Sequence, residues 1–128
     1  MSTPLEIVKQ AYAAFAQGDV DSILKLVADD VDWEFVGSPS LAFAGRRRTR
    51  QQVGEFFRDI PRADDILAFE PREFIEGGEN LTVLGWEKTT ALETGITFET
   101  EWCHVFTVQH EQITRWRSFY NTAARYGK

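Results

Sequence analysis

The chain has 128 residues, 14 of them basic and 20 acidic, for a formal charge of −6, and a pI near 4.9. An acidic chain of this kind lacks the basic face that phosphate contacts need, so nucleic acid is excluded as the main partner. Its 43% hydrophobic and 13% aromatic residues exclude intrinsic disorder, and no apolar run approaches the ~20 residues of a membrane span. The length supports one domain over residues 1–128. Cys103 is the only cysteine, which excludes an internal disulfide and a multi-cysteine zinc site. Residues 1–6 show no basic region followed by an apolar stretch, so the expectation is a cytoplasmic protein with no membrane attachment.

The N-terminal part reads as helical. Thr3 can cap free amides, Pro4 suits a first turn, and Glu6 sits where a capping box places an acid. Leu5, Val8, Tyr12 and Phe15 then recur at helical spacing. Gly18 ends this helix, and Asp19 caps a second that carries Val20, Ile23, Leu24 and Val27, closed by Asp29-Asp30. Residues 31–36 alternate apolar and acidic side chains, which predicts a strand with one buried face. Residues 41–44 read as a short strand ending at Gly45. The arginines 46, 47, 48 and 50 read as a solvated loop bridged to the acidic excess. Thr49 and Gln52 have capping-box spacing ahead of Val53, Phe56, Phe57 and Ile60, a third helix stopped by Pro61.

From Ile66 onward the pattern is β, with strands expected over 66–75, 81–92, 96–108 and 113–120. Connections this short require antiparallel neighbours. Pro71 marks a bulge or an edge. Helices followed by a run of strands give an α+β class with the helices on one sheet face.

Two segments carry a family likeness: residues 12–19 (Tyr-Ala-Ala-Phe-Ala-Gln-Gly-Asp) and 26–33 (Leu-Val-Ala-Asp-Asp-Val-Asp-Trp). They resemble the opening of the SnoaL-like and ketosteroid-isomerase-like branch of the nuclear transport factor 2-like superfamily. Phe43-Ala44-Gly45 ahead of Phe56-Phe57 fits too, as does the ending from His104 to Ala123. The resemblance implies a cone: a curved, mostly antiparallel (mixed) sheet wrapped around three N-terminal helices, with an apolar pocket inside. It also implies a homodimer formed through the sheet.

The activity implied by the resemblance is less uniform. The steroid isomerases' general-base Asp falls here on Phe35, with Glu34 of the wrong parity to face the pocket. Tyr12 lies one residue from their helix tyrosine, and His104 occupies the place of their oxyanion-binding Asp. The cyclases' acidic Asp falls on Ser118, while His104 matches their histidine. The Asp-Arg-Asp set of the epoxide hydrolases is incomplete, because Arg115 and Arg117 have no acid beside them in that strand. Asn121 stands where many relatives carry an Asp.

Strand parity assigns the pocket lining. If His104 faces inward, so do Phe98, Thr100, Trp102 and Phe106, while Glu99, Glu101 and Cys103 face outward. The matching sets are Trp116, Ser118 and Tyr120 on the last strand, and Trp33 and Phe35 on the first. His104 is thus the candidate acid or base. Tyr12, Trp33, Phe35, Trp102, Trp116, Ser118 and Tyr120 are the candidate ligand contacts, suited to an apolar cyclic molecule with one or two polar groups. The structural alternative for His104 is a hydrogen bond to Ser118, Tyr120 or a backbone carbonyl. Neither histidine has ligand-spaced partners, so no metal and no cofactor are expected. Two readings stay open. One is a cofactor-independent isomerase, lyase or cyclase-like enzyme. The other is a non-catalytic ligand-binding or dimerisation module.

Overall fold

The structure, a computed structural model, describes residues 2–128. The chain runs α1 (Pro4–Ala16), α2 (Val20–Lys25), β1 (Val27–Phe35), β2 (Gly45–Thr49), α3 (Arg50–Ala63), β3 (Asp64–Gly77), β4 (Asn80–Ala91), β5 (Thr97–Gln109), β6 (Gln112–Tyr120) and a closing 3-10 turn, Thr122–Tyr126. The strands form one six-stranded sheet in the order β2-β1-β6-β5-β4-β3. All neighbours are antiparallel except β1 and β6, which run parallel. This is the α+β mixed sheet with three helices that the sequence predicts. Among the described residues no helix is long and apolar enough to cross a membrane.

The helix starts follow their capping residues. Thr3 and Glu6 form a complete capping box, Oγ1 accepting from the Glu6 amide and the Glu6 carboxylate from the Thr3 amide. Asp19 accepts from the Ser22 amide and hydroxyl. Thr49 accepts from the Gln52 amide, while the Gln52 side chain accepts from the amide of Arg48, one residue before the box position. Behind these starts, α1 buries Ile7, Val8 and Ala11, and α3 buries Val53, Gly54 and Phe56.

Four expected boundaries move, each for an identifiable physical reason. Val27 continues the helical spacing of α2 but opens β1, because it pairs with Ile113 and the Ile113 amide donates to the carbonyl of Leu26. Asp29 and Asp30 therefore lie in a strand; the register shifts between Asp30 and Trp33. Residues 41–44 form a turn closed by the Ala44 amide on the Leu41 carbonyl, with Leu41 and Phe43 buried as plugs. The strand comes next, and it carries three of the four arginines: β2 pairs Gly45, Arg46 and Arg47 with Phe35, Glu34 and Trp33, and Arg50 opens α3. β2 is an edge strand, where charge discourages further pairing. Finally, Pro61 does not stop α3, which continues to Ala63. A proline this near the end removes one hydrogen bond of the last turn and leaves the rest of the helix intact.

The β-rich half follows its alternation closely. β4 and β5 show strict buried/less-buried alternation over their whole length, the signature of a sheet with one covered face. Pro71 sits on the edge strand β3 at a register shift between Pro71 and Glu73. The β5–β6 hairpin turns through His110 and Glu111, both with positive φ. One glycine is required by packing. Gly85 pairs with Trp102 across β4 and β5, and a Cβ placed on it would fall inside the Trp102 indole. Without that Cβ the indole lies flat on the strand and stacks on Phe69 at 4.8 Å and on His104 at 4.0 Å between ring centroids.

Candidate functional site

A cavity of about 90 Å³ lies between the covered face of the sheet and the three helices, room for several water molecules. Strand parity delivers most of its walls: Trp33 and Phe35 from β1, His104 and Phe106 from β5, and Trp116, Ser118 and Tyr120 from β6. The helices close it with Tyr12 and Phe15 from α1, and Phe56, Phe57 and Ile60 from α3. Trp33 and Trp116 stack at 4.4 Å, and Phe56 meets Trp116 edge-on at 5.5 Å. The lining is aromatic, so a flat apolar ring would find complementary faces.

Of the residues singled out from sequence, Tyr12, Trp33, Phe35, His104, Trp116, Ser118 and Tyr120 border the cavity. Trp102 does not: folded down onto Gly85, it supports the His104 ring from behind. Glu34 faces the opposite side of the sheet, where Arg117 pairs with both Asp32 at 2.8 Å and Glu34 at 3.3 Å. The acids missing from the strand of Arg117 thus come from β1, and the cluster lies outside the cavity.

His104 has a single hydrogen-bond partner among the described residues. Tyr12 Oη lies 2.7 Å from its Nδ1, and the two rings are within 10° of parallel. The helix tyrosine, rather than Ser118, Tyr120 or a carbonyl, holds the imidazole. Burial among aromatic rings lowers the His104 pKa from 6.5 to about 3, because a cation there loses its hydration. Burial likewise pushes the Tyr12 phenol well above its ordinary value. At neutral pH the pair is therefore an uncharged imidazole and an uncharged phenol sharing one hydrogen bond, with Nε2 left unpartnered among the described residues.

The other polar end of the cavity was missed from sequence. Asp64, the first residue of β3, and Glu87 of β4 both border it. Arg125, 2% exposed, comes from the closing 3-10 turn and grips Asp64 through both nitrogens at 2.6 and 3.2 Å. It also donates to Tyr120 Oη at 2.9 Å. Among the described residues Glu87 accepts only from the Thr89 hydroxyl, at 2.6 Å. Burial raises its pKa from 4.5 to about 7, with Asp64 adding to the rise and the Thr89 hydrogen bond and Arg125 opposing it. A signal for Glu87 existed in the sequence: it is in phase with Leu81 and Val83 on a strand whose other face is half-exposed. Asp64 and Arg125 had none, since one stands at a helix–strand junction and the other in a short terminal turn.

A profile of the SnoaL-like domain matches residues 8–116. The chain belongs to the SnoaL-like family. No curated protein matches this SnoaL-like chain, but many solved structures do. It is 29% identical to an NTF2-like protein of Burkholderia xenovorans LB400, covering 99% of this chain and 97% of that one at a TM-score of 0.87. It is 28% identical to an NTF2-like protein of unknown function from Burkholderia pseudomallei K96243, covering 96% and 94% at a TM-score of 0.85. It is 27% identical to TerC, which was co-crystallised with polyporic acid, covering 98% and 97% at a TM-score of 0.88.

The state of Glu87 makes stability depend on pH. Below pH about 4.5 the carboxyl is protonated in both folded and unfolded chains. Between about 4.5 and 7 only the unfolded chain ionises, so this group removes stability as pH rises, up to about 3 kcal/mol. Glu87→Gln should therefore gain stability over the wild type at pH 8 and match it near pH 4 in urea melts. Parallel pH profiles for the two proteins would contradict the burial of this carboxyl.

Proposed function

We propose that this SnoaL-like protein binds a small, largely apolar cyclic molecule in the cavity. It acts on that molecule without a cofactor, as an isomerase, lyase or cyclase-like enzyme centred on His104. The observation that carries the reading is the His104–Tyr12 pair at the cavity wall, with Nε2 unused. With Tyr12 donating to Nδ1, the neutral ring holds its proton on Nε2 and offers it to an oxygen that gains negative charge during reaction. A pKa of about 3 makes the ring a weak base. Its part is therefore to donate a hydrogen bond from Nε2 to that oxygen while keeping its proton, with Tyr12 holding Nδ1. The TerC complex with polyporic acid supports a small organic ligand for this fold.

Native mass spectrometry of the protein as purified, followed by thermal-shift screening of single-ring compounds, should reveal a bound or stabilising ligand. His104→Ala should lower turnover of that ligand about a hundredfold or more, whereas His104→Gln, which keeps a polar group of similar reach, should retain binding. Turnover that survives His104→Ala would refute the role given to His104. Binding with unaltered ligand in the wild type would favour the non-catalytic module.

The reading includes a homodimer through the outer sheet face. Phe119 is 45% exposed there, and Cys103 and Val105 are only half-buried on the same face of β5. An apolar sheet face of this kind calls for a cover. Light scattering at micromolar concentration should give twice the 14.7 kDa chain mass; a monomer mass would refute the dimer.

A further inference from the structure

We propose that the Glu87 end of the cavity is a binding site for an organic ammonium group, so that the ligand of this protein is a ring carrying a basic nitrogen. The inference rests on the cavity being a ligand site and adds the class of ligand.

Glu87 is 7% exposed and borders the cavity, yet among the described residues no cation forms an ion pair with it. Arg125, the cation nearest to hand, is engaged by both oxygens of Asp64 and by Tyr120. Two carboxyl groups thus share one guanidinium, and the ionised trio carries an uncompensated negative charge. The Oε2 of Glu87 is held by Thr89, and Oε1 makes no hydrogen bond among the described residues. The surroundings already hold a cation by their ring faces: the Arg125 guanidinium sits 5.5 Å from the ring centroid of Phe43 and 5.6 Å from that of Phe98. An ammonium in the cavity would meet the same kind of wall, with a carboxylate as counter-ion.

Position separates this group from the His104 chemistry. Glu87 pairs across the sheet with Thr100, whereas His104 pairs with Val83. The two rows are four residues apart on β5, about 13 Å along the strand. Glu87 and His104 therefore cannot address adjacent atoms of a single-ring ligand, and Glu87 is a recognition group at the far end. The groups that face it are Asp64 and Phe69 from β3, Thr89 from its own strand, Thr100 from β5, Tyr120 from β6 and Arg125 from the terminal turn. Of these, Asp64 and Arg125 neutralise one another, and Tyr120 stays protonated because burial raises its pKa. With its pKa near 7, Glu87 ionises at neutral pH at small cost once an ammonium arrives.

The test compares benzylamine, cationic throughout the range used, with benzyl alcohol as its neutral counterpart, by calorimetry on the intact protein. At pH 8 the wild type should bind benzylamine at least about tenfold more tightly than benzyl alcohol. Benzylamine affinity should fall about tenfold by pH 6, as the carboxyl takes up its proton. Glu87→Gln should erase both the preference and the pH dependence. Benzyl alcohol binding as tightly as benzylamine, or a preference that survives Glu87→Gln, would overturn the ammonium site and leave the cavity as a neutral-ligand site. Failure of both compounds to bind the wild type would overturn it together with the ligand-binding reading.

Discussion

Water exclusion on the covered face of the sheet sets the state of each polar group there. Six strands and three helices enclose a space walled by aromatic rings, and every titratable side chain that enters loses hydration. The outcome depends on what each finds in return. Asp64 and Arg125 find each other, bidentate and nearly fully buried; removing either partner would strand a buried charge at a cost of about 3–5 kcal/mol. His104 finds a neutral phenol and stays neutral. Glu87 finds one threonine hydroxyl and stays close to its titration point at neutral pH.

A second dependence is steric. The His104 ring lies against Trp102, which has its place because Gly85 has no side chain. Tyr12 approaches the same histidine ring from α1, so the helix and the sheet share one hydrogen bond as well as their apolar contact. Three elements far apart in sequence thereby fix one imidazole, leaving Nε2 as its unused polar atom. Precise placement of a group by packed neighbours is what a site on strands provides more readily than one on loops.

The fold was legible because its signals are local. Capping residues, helical spacing up to Ile60 and period-two alternation beyond it specify elements one at a time, and short turns specify antiparallel neighbours. Parity on β5 and β6 then placed His104, Trp116, Ser118 and Tyr120 on the covered face. What escaped was non-local. Val27 reads as helix until β6 is present to pair with it, and residues 41–44 read as strand although the ladder forms only at Gly45. Trp102 has inward parity, but its direction is decided by a glycine on the neighbouring strand. The Tyr12–His104 bond spans 92 positions and Asp64–Arg125 spans 61, distances over which a single sequence carries no pairing signal.

The chemistry of the cavity turns on an uncharged His104 whose Nδ1 is occupied by Tyr12 and whose Nε2 carries the proton. Nitrogen-15 NMR of the imidazole reports both facts directly. It should show a protonated Nε2 and a hydrogen-bonded, unprotonated Nδ1 that persist from pH 8 to below pH 5, with Tyr12→Phe shifting the Nδ1 resonance alone. Protonation of His104 with a midpoint near pH 6.5, or a proton residing on Nδ1, would contradict it.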